Sequence, residues 1–185
     1  MEKALACYFI AIVPPEPIYK QLHQLKIYCF EKYNTKGALR SPPHVTLHMA
    51  FIWKEAREDQ LIRRIQKFCE KHDGFNLSMA GFSCFPPRVV FVAIAENKKL
   101  QSLQRKLVTF CRLEFNLLNA NYRKQPFHPH ITIAFRDLKK NMFEEAWNEF
   151  MRKPLSDSFT VNTITLLKHD GQRWKVLSDC ALGKA

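Results

Sequence analysis

The sequence predicts an α+β fold of two pseudo-symmetric βαβαβ-type lobes whose antiparallel-rich sheets face a central cleft. Three observations carry this prediction. The short apolar runs Phe9-Ile-Ala-Ile-Val13 and Phe91-Val-Ala-Ile-Ala95 resemble each other. Each is followed by apolar residues at helical spacing. Each helical segment then gives way to a loop that delivers a His-x-Thr string, at His44–Thr46 and at His130–Thr132. From run to histidine the chain takes 35 residues (9 to 44) in one half and 39 (91 to 130) in the other, so only a few loop residues differ.

Taken in order, Phe9–Val13 is apolar throughout and reads as a buried strand. Ile18, Leu22, Leu25 and Cys29 recur at spacings of three and four, the stripe of a helix with one face covered. The loop KYNTKGALRSPP leads into an alternating strand that reaches Ala50-Phe51. Leu61, Ile65 and Phe68 stripe a second helix, and Phe75–Phe82 alternates like a strand. Phe85-Pro86-Pro87-Arg88 is a loop that could form a lip of the cleft. Val89–Ala95 is expected to cross between the halves. That gives one bilobal domain over 1–185, its lobes interleaved and crossing near 86–98. Leu100, Leu103, Leu107, Phe110 and Leu113 stripe the next helix, and the loop LLNANYRKQPFHP delivers the second motif strand. That strand ends in Ala134-Phe135, matched to Ala50-Phe51. Phe143, Trp147 and Phe150 stripe the last helix, Phe159–Leu166 reads as one strand, and Trp174–Ala181 closes the second sheet.

A chain of 185 residues that is 46% hydrophobic and 12% aromatic buries a core and is not disordered. Its 29 Lys and Arg against 17 Asp and Glu leave +12, with pI near 9.6, which points to a polyanionic partner such as RNA or a nucleotide. Six cysteines without a CxxC pair read as reduced, buried thiols of a cytoplasmic protein. The first apolar run, about ten residues long, is too short to span a bilayer. PPEP follows it where a signal peptide would have a small-residue cleavage site. No membrane association is expected, and a monomer is the expected state.

Alternate residues of a strand share a face, so each histidine projects beside its threonine. Two imidazoles and two hydroxyls meeting in one cleft suit acid–base chemistry on a phosphate, with no metal or other cofactor. Imidazole titrates near neutrality, so one ring can accept a proton while the other gives one. The threonine hydroxyls can donate to non-bridging oxygens, where charge accumulates. His48 and His128 share the parity of the motif residues and are expected at the floor or rim. Lys36 and Arg40 precede the first motif; Tyr122, Arg123 and Lys124 precede the second. A tyrosine can stack on a base while the cations track phosphates. Two rivals remain. His44, His48, His128 and His130 could ligate a transition metal in a metal-dependent hydrolase. The chain could also be a non-catalytic RNA- or nucleotide-binding module.

With Pro43 and Pro129 each preceding the motif histidine, the chain resembles the two-histidine (2H) phosphoesterase superfamily. That group contains the bacterial RNA 2′,3′-cyclic phosphodiesterases, also called 2′-5′ RNA ligases. The resemblance implies a bilobal fold, catalytic positions at His44, Thr46, His130 and Thr132, and RNA or nucleotide 2′,3′-cyclic phosphate as substrate. It also implies 2′-5′ ligation as the reverse reaction. Many relatives carry an arginine five residues after the second histidine; here Phe135 holds that place and Arg136 follows. Strict alternation puts Arg136 on the face of His130 and Thr132, where it would serve the phosphate.

Overall fold

The computed structural model describes residues 4–118 and 126–183. An apolar run with no polar face needs cover on both sides, and Tyr8–Ile12 of strand β1 (Leu5–Ile12) has it, with every residue buried. Helix α1 spans Ile18–Tyr33, β2 Val45–Lys54, α2 Glu58–Cys69, β3 Phe75–Phe85 and β4 Val89–Ile94. There follow α3 (Lys98–Phe115), β5 (His130–Ala134), α4 (Lys140–Phe150), β6 (Ser158–Val161), β7 (Thr163–His169) and β8 (Trp174–Ala181). The strands form two four-stranded sheets, β2-β1-β7-β8 and β5-β4-β3-β6, with every strand pairing antiparallel. The α+β class and the paired sheets are as the sequence predicts.

The repeat also holds in space. β2-β1 in one sheet answers β5-β4 in the other. Helices α1 and α3 both end on an asparagine in the left-handed region, Asn34 (φ 52°) and Asn116 (φ 55°), 82 positions apart. Phe9 and Phe91 are separated by the same 82. Asparagine is the non-glycine residue that tolerates this helix end most readily.

Three expectations are corrected. Trp174–Ala181 closes the first sheet and not the second, since β8 pairs with β7 beside β1. Phe159–Leu166 is not one strand: the chain breaks at Asn162, so β6 joins β3 in one sheet and β7 joins β1 in the other. Nor does Val89–Ala95 cross between the halves, because β4 pairs with β3 and β5 inside a single sheet. The chain passes between sheets over residues 70–74 and again at Asn162, not near 86–98. Alternation says which face a residue takes but not which strand it pairs with, and the short turn after Phe85 favours local hairpin pairing.

The helices seal the sheets into one core. α2 buries Leu61, Ile65, Phe68 and Cys69, and α4 buries Phe143, Ala146 and Phe150. α1 buries Ile18, Leu22, Lys26, Cys29 and Tyr33, so the covered face takes Lys26 where the sequence stripe read Leu25. Glu149 on α4 binds α1 by accepting from Tyr28 (2.6 Å), Lys32 (2.6 Å) and Tyr33. Cys29, Cys69, Cys111 and Cys180 are buried free thiols, while Cys7 and Cys84 are half-buried. Among the described residues no helix is long and apolar enough to cross a membrane.

Candidate active site

The two motif strands line one cleft of about 750 Å³, which His44, Thr46, His130 and Thr132 all reach. Their surroundings are duplicated in detail. His44 Nδ1 lies 2.8 Å from the carbonyl oxygen of Pro42, and His130 Nδ1 lies 2.7 Å from that of His128. A carbonyl only accepts, so each Nδ1 carries the proton and donates, which leaves Nε2 as the acceptor of the neutral ring. Each ring also rests on a phenylalanine of the adjacent strand. Phe9 meets His44 and Phe91 meets His130, both at 4.8 Å between centroids. A second aromatic packs on each phenylalanine, Trp174 on Phe9 (4.6 Å) and Phe85 on Phe91 (4.5 Å), with Phe85 also touching the His130 ring (5.2 Å).

Each motif strand carries a bulge just after its threonine. In β2 the register slips between Thr46, opposite Ala11, and His48, opposite Ile10. In β5 it slips between Thr132, opposite Phe91, and Ala134, opposite Val90. One extra residue reverses alternation beyond the bulge. Leu47 and His48 are therefore both buried, as are Ile133 and Ala134. Met49 and Ala50 return to the cleft, and so do Phe135 and Arg136. By this geometry His48 corresponds to Ala134 and Ala50 to Arg136. The sequence match of Ala50-Phe51 to Ala134-Phe135 is two residues out of step.

The bulge corrects the expectation for His48. It is fully buried, edge-on to Phe51 at 5.5 Å, and does not line the cleft. His128 is exposed beside the cleft against Phe85 (5.3 Å) and Phe91 (5.7 Å), a rim position. The four histidines of the metal rival therefore do not converge. Among the described residues no three His, Cys, Asp or Glu side chains gather as metal ligands. Arg40 and Arg136 do line the cleft, with the Arg136 guanidinium over the Phe135 ring at 5.1 Å. Strand β5 ends at Ala134, so the turn after it, not strand parity, brings Arg136 there. Lys36 contributes its backbone amide to Asp137. Tyr122, Arg123 and Lys124 lie outside the described residues.

Sequence reasoning missed two charged groups at the cleft. Asp137 accepts from the Thr35 hydroxyl (2.7 Å) and from the amides of Lys36 (2.8 Å) and Gly37 (2.9 Å), tying the end of β5 to the turn that carries Arg40. A Cβ at Gly37 would lie 2.7 Å from an Asp137 carboxylate oxygen, so a larger residue there would push the carboxylate aside. Burial alone would raise the Asp137 pKa, but these donors hold it below the ordinary carboxylate value. Lys26 is 1% exposed, and its Nζ donates to the carbonyls of Ala38 and Ser41, both at 3.0 Å. Burial pushes its pKa down to about 7. The one available signal was a lysine at a position that helical spacing assigns to the covered face.

Burial pushes the His44 pKa down to about 3, with the charges of Lys26 and of His130 acting in the same direction and the Pro42 bond opposing them. His130 is lowered by burial; the bond to the His128 carbonyl opposes this, and the charge of the His128 ring adds a smaller push downward. Without a ligand both rings therefore favour the neutral form at pH 7. An anion between them favours the protonated form of either ring, so a phosphate can bring a proton with it. The arrangement can take a proton on one side of a phosphorus and give one on the other.

Two antiparallel sheets thus each bring a His-x-Thr segment to one cleft. The family model of the 2′-5′ RNA ligase superfamily matches residues 14–173, and the chain belongs to that superfamily. Its fold is similar to TT0787 of Thermus thermophilus, with a TM-score of 0.66 at 20% identity over 95% of this chain and 97% of that one. It is similar too to E. coli LigT in apo form, with a TM-score of 0.66 at 22% identity over 97% and 99%. E. coli LigT complexed with 3′-AMP gives 0.63 at 20% identity over 96% and 98%. No curated protein matches the sequence significantly.

Proposed function

We propose that this chain hydrolyses 2′,3′-cyclic phosphates of RNA ends or nucleotides, with His44 and His130 as the acid–base pair and no metal. The observation that supports it most is the doubling itself: two imidazoles with Nδ1 fixed on a carbonyl, each beside a threonine, on one cleft. Water attacks phosphorus as one imidazole Nε2 takes its proton. The bond from phosphorus to a ribose oxygen breaks, and the other imidazole protonates that oxygen, leaving a phosphomonoester. Thr46 and Thr132 donate to the non-bridging oxygens as their charge grows. In reverse, an RNA 5′-hydroxyl replaces water and a 2′-5′ linkage forms. The +12 charge and the cleft cations Arg40 and Arg136 suit an anionic substrate. E. coli LigT has been crystallised with 3′-AMP, a phosphomonoester of the kind such ring opening yields.

The test is to incubate the protein with 2′,3′-cyclic nucleotides and with cyclic-phosphate-ended RNA, with and without EDTA. Turnover that survives EDTA and disappears in His44→Ala and His130→Ala supports the reading. Turnover restored only by added metal overturns it, and so does tight binding without product.

A further inference from the structure

The two halves of the cleft match around the histidines and part beyond the phenylalanines. In the His130 half, Phe91 and Phe85 pack on the imidazole, but neither lines the cleft. In the His44 half, Phe9 lines it together with Trp174 and His169. Ring contacts run outward from the reacting end: His44 on Phe9 at 4.8 Å, Phe9 on Trp174 at 4.6 Å, and Trp174 on His169 at 4.9 Å. Trp174 meets Phe9 at 80° and His169 at 71°, so both are edge contacts. Among the described residues no ring lies stacked on this half-buried indole. The remaining aromatic of the cleft wall, Phe135, already has the Arg136 guanidinium over its ring.

The turn between them sets His169 and Trp174 in place. The two face each other across β7 and β8, at the end of the hairpin. The Asp170 carboxylate accepts from the amides of Gln172 (2.9 Å) and Arg173 (2.7 Å) and pairs with Lys175 (2.9 Å), which closes the turn. Within it the Gly171 amide donates to His169 Nδ1 at 3.1 Å. An amide only donates, so this Nδ1 carries no proton and the proton of the ring sits on Nε2. His169 is thus the opposite tautomer to His44 and His130: its second nitrogen is a donor where theirs is an acceptor. Among the described residues nothing accepts from that nitrogen.

We propose that this hairpin end is a nucleobase subsite: the base of the nucleoside whose phosphate lies between His44 and His130 stacks on the Trp174 indole, and His169 donates from Nε2 to an acceptor on the base's edge. This deepens the phosphoesterase reading above and rests on it for the place of the phosphate. A nucleoside holds its base one sugar's width from its phosphate, and the aromatic wall starts at the His44 ring and runs away from it. A base laid on an indole hides a face of each from water, which strengthens binding by about tenfold or more per base. Every base has a π-face and a ring-nitrogen or carbonyl acceptor, so Trp174 and His169 together demand a base without choosing among the four.

The test compares adenosine 2′,3′-cyclic phosphate with a ribose 2′,3′-cyclic phosphate that carries a methoxy group in place of the base. In the wild type the ratio of their kcat/KM values should favour the nucleotide about tenfold or more. Trp174→Leu should bring the ratio close to one, while Trp174→Phe, which keeps an aromatic face, should retain most of it. His169→Phe, which keeps a ring without the donor, should lower it about threefold. If Trp174→Leu loses rate on both esters alike, the indole merely supports Phe9 beneath His44 and the proposal is overturned. In the wild-type complex with adenosine 3′-monophosphate, NOEs should join the adenine protons to the Trp174 ring; NOEs to other side chains alone overturn it. Should Trp174→Leu not fold, these contacts decide. Calorimetric binding of adenosine 3′-monophosphate and of its base-less counterpart needs no turnover. Base-dependent binding with neither ester turned over would sink the phosphoesterase reading and leave the subsite standing; turnover and binding indifferent to the base would do the reverse.

Discussion

The His44 and His130 halves of the cleft share their chemistry and differ in their charge. Both halves fix Nδ1 on the carbonyl two residues earlier, rest the ring on a phenylalanine at 4.8 Å, and bulge straight after the threonine. Yet the cations are unmatched. Lys26 lines the cleft while Val108, 82 positions on, does not, and Arg136 answers to Ala50 beyond the bulges. Duplication supplies two equivalent proton carriers, which a displacement at phosphorus needs. It cannot by itself tell acceptor from donor. That distinction has to come from groups the duplication does not share, and in this cleft they are single charged side chains.

The largest effect should come from the shared parts. His44→Ala and His130→Ala should each lower kcat on a 2′,3′-cyclic nucleotide by about 10²–10⁴-fold, the range for general acid–base catalysis. The double variant should be little worse than either single one, since the pair acts as a unit. A double variant showing the full product of the two losses would mean that the rings act independently, and the comparison of halves would lose its point. Next come Thr46→Val and Thr132→Val, each expected to cost about 10²-fold in kcat, as loss of one oxyanion donor does. Equal losses would mark the threonines as symmetric; a tenfold gap between them would place the developing charge in one half.

That shared machinery is also the part that was legible in the sequence. A His-x-Thr tripeptide means little alone, but recurring after a matching run and helix it identifies His44, Thr46, His130 and Thr132 together. The bulges were not legible, because an inserted residue leaves no mark in residue type. They sent His48 to the core and put the Ala50-Phe51 match two residues out of step. Strand pairing was lost at Asn162 for a similar reason, since Phe159–Leu166 keeps its alternation while its two ends join different sheets. Lys26 showed only as an interruption, and reading the stripe through Leu25 hid it. The aromatic pairs Phe9–Trp174 and Phe91–Phe85 join residues that only the folded sheets bring together.

Asp137→Asn probes the brace between the halves. Three donors meet an exposed carboxylate, so the loss should be modest, about 1 kcal/mol of stability at pH 7. The sign with pH follows from the lowered pKa. A carboxylate depressed on folding stabilises fully above its unfolded pKa of ~3.9 and loses that contribution as pH falls through the folded value. Thermal melts of wild type and variant should therefore differ at pH 7 and draw together below pH ~4. A gap that stays constant across this range would mean the carboxylate charge contributes nothing.

The smallest effect is expected at Arg136, where the two halves part company most openly. Its guanidinium lies over Phe135 at the exposed end of the cleft, and the corresponding position in the other half is Ala50. A cation in that place, reached through a turn rather than from the strand, acts on the substrate's charge more than on the reacting oxygens. Arg136→Ala should raise KM for cyclic-phosphate-ended RNA about threefold to tenfold with kcat nearly unchanged, the signature of uniform binding. The dependence of log KM on log salt should become shallower by about 0.7, the single-strand value for one lost phosphate contact. If kcat falls by as much as KM rises, Arg136 instead stabilises the transition state. The His130 half would then hold a charge acting in the reaction that the His44 half, with Ala50 in that place, does not supply.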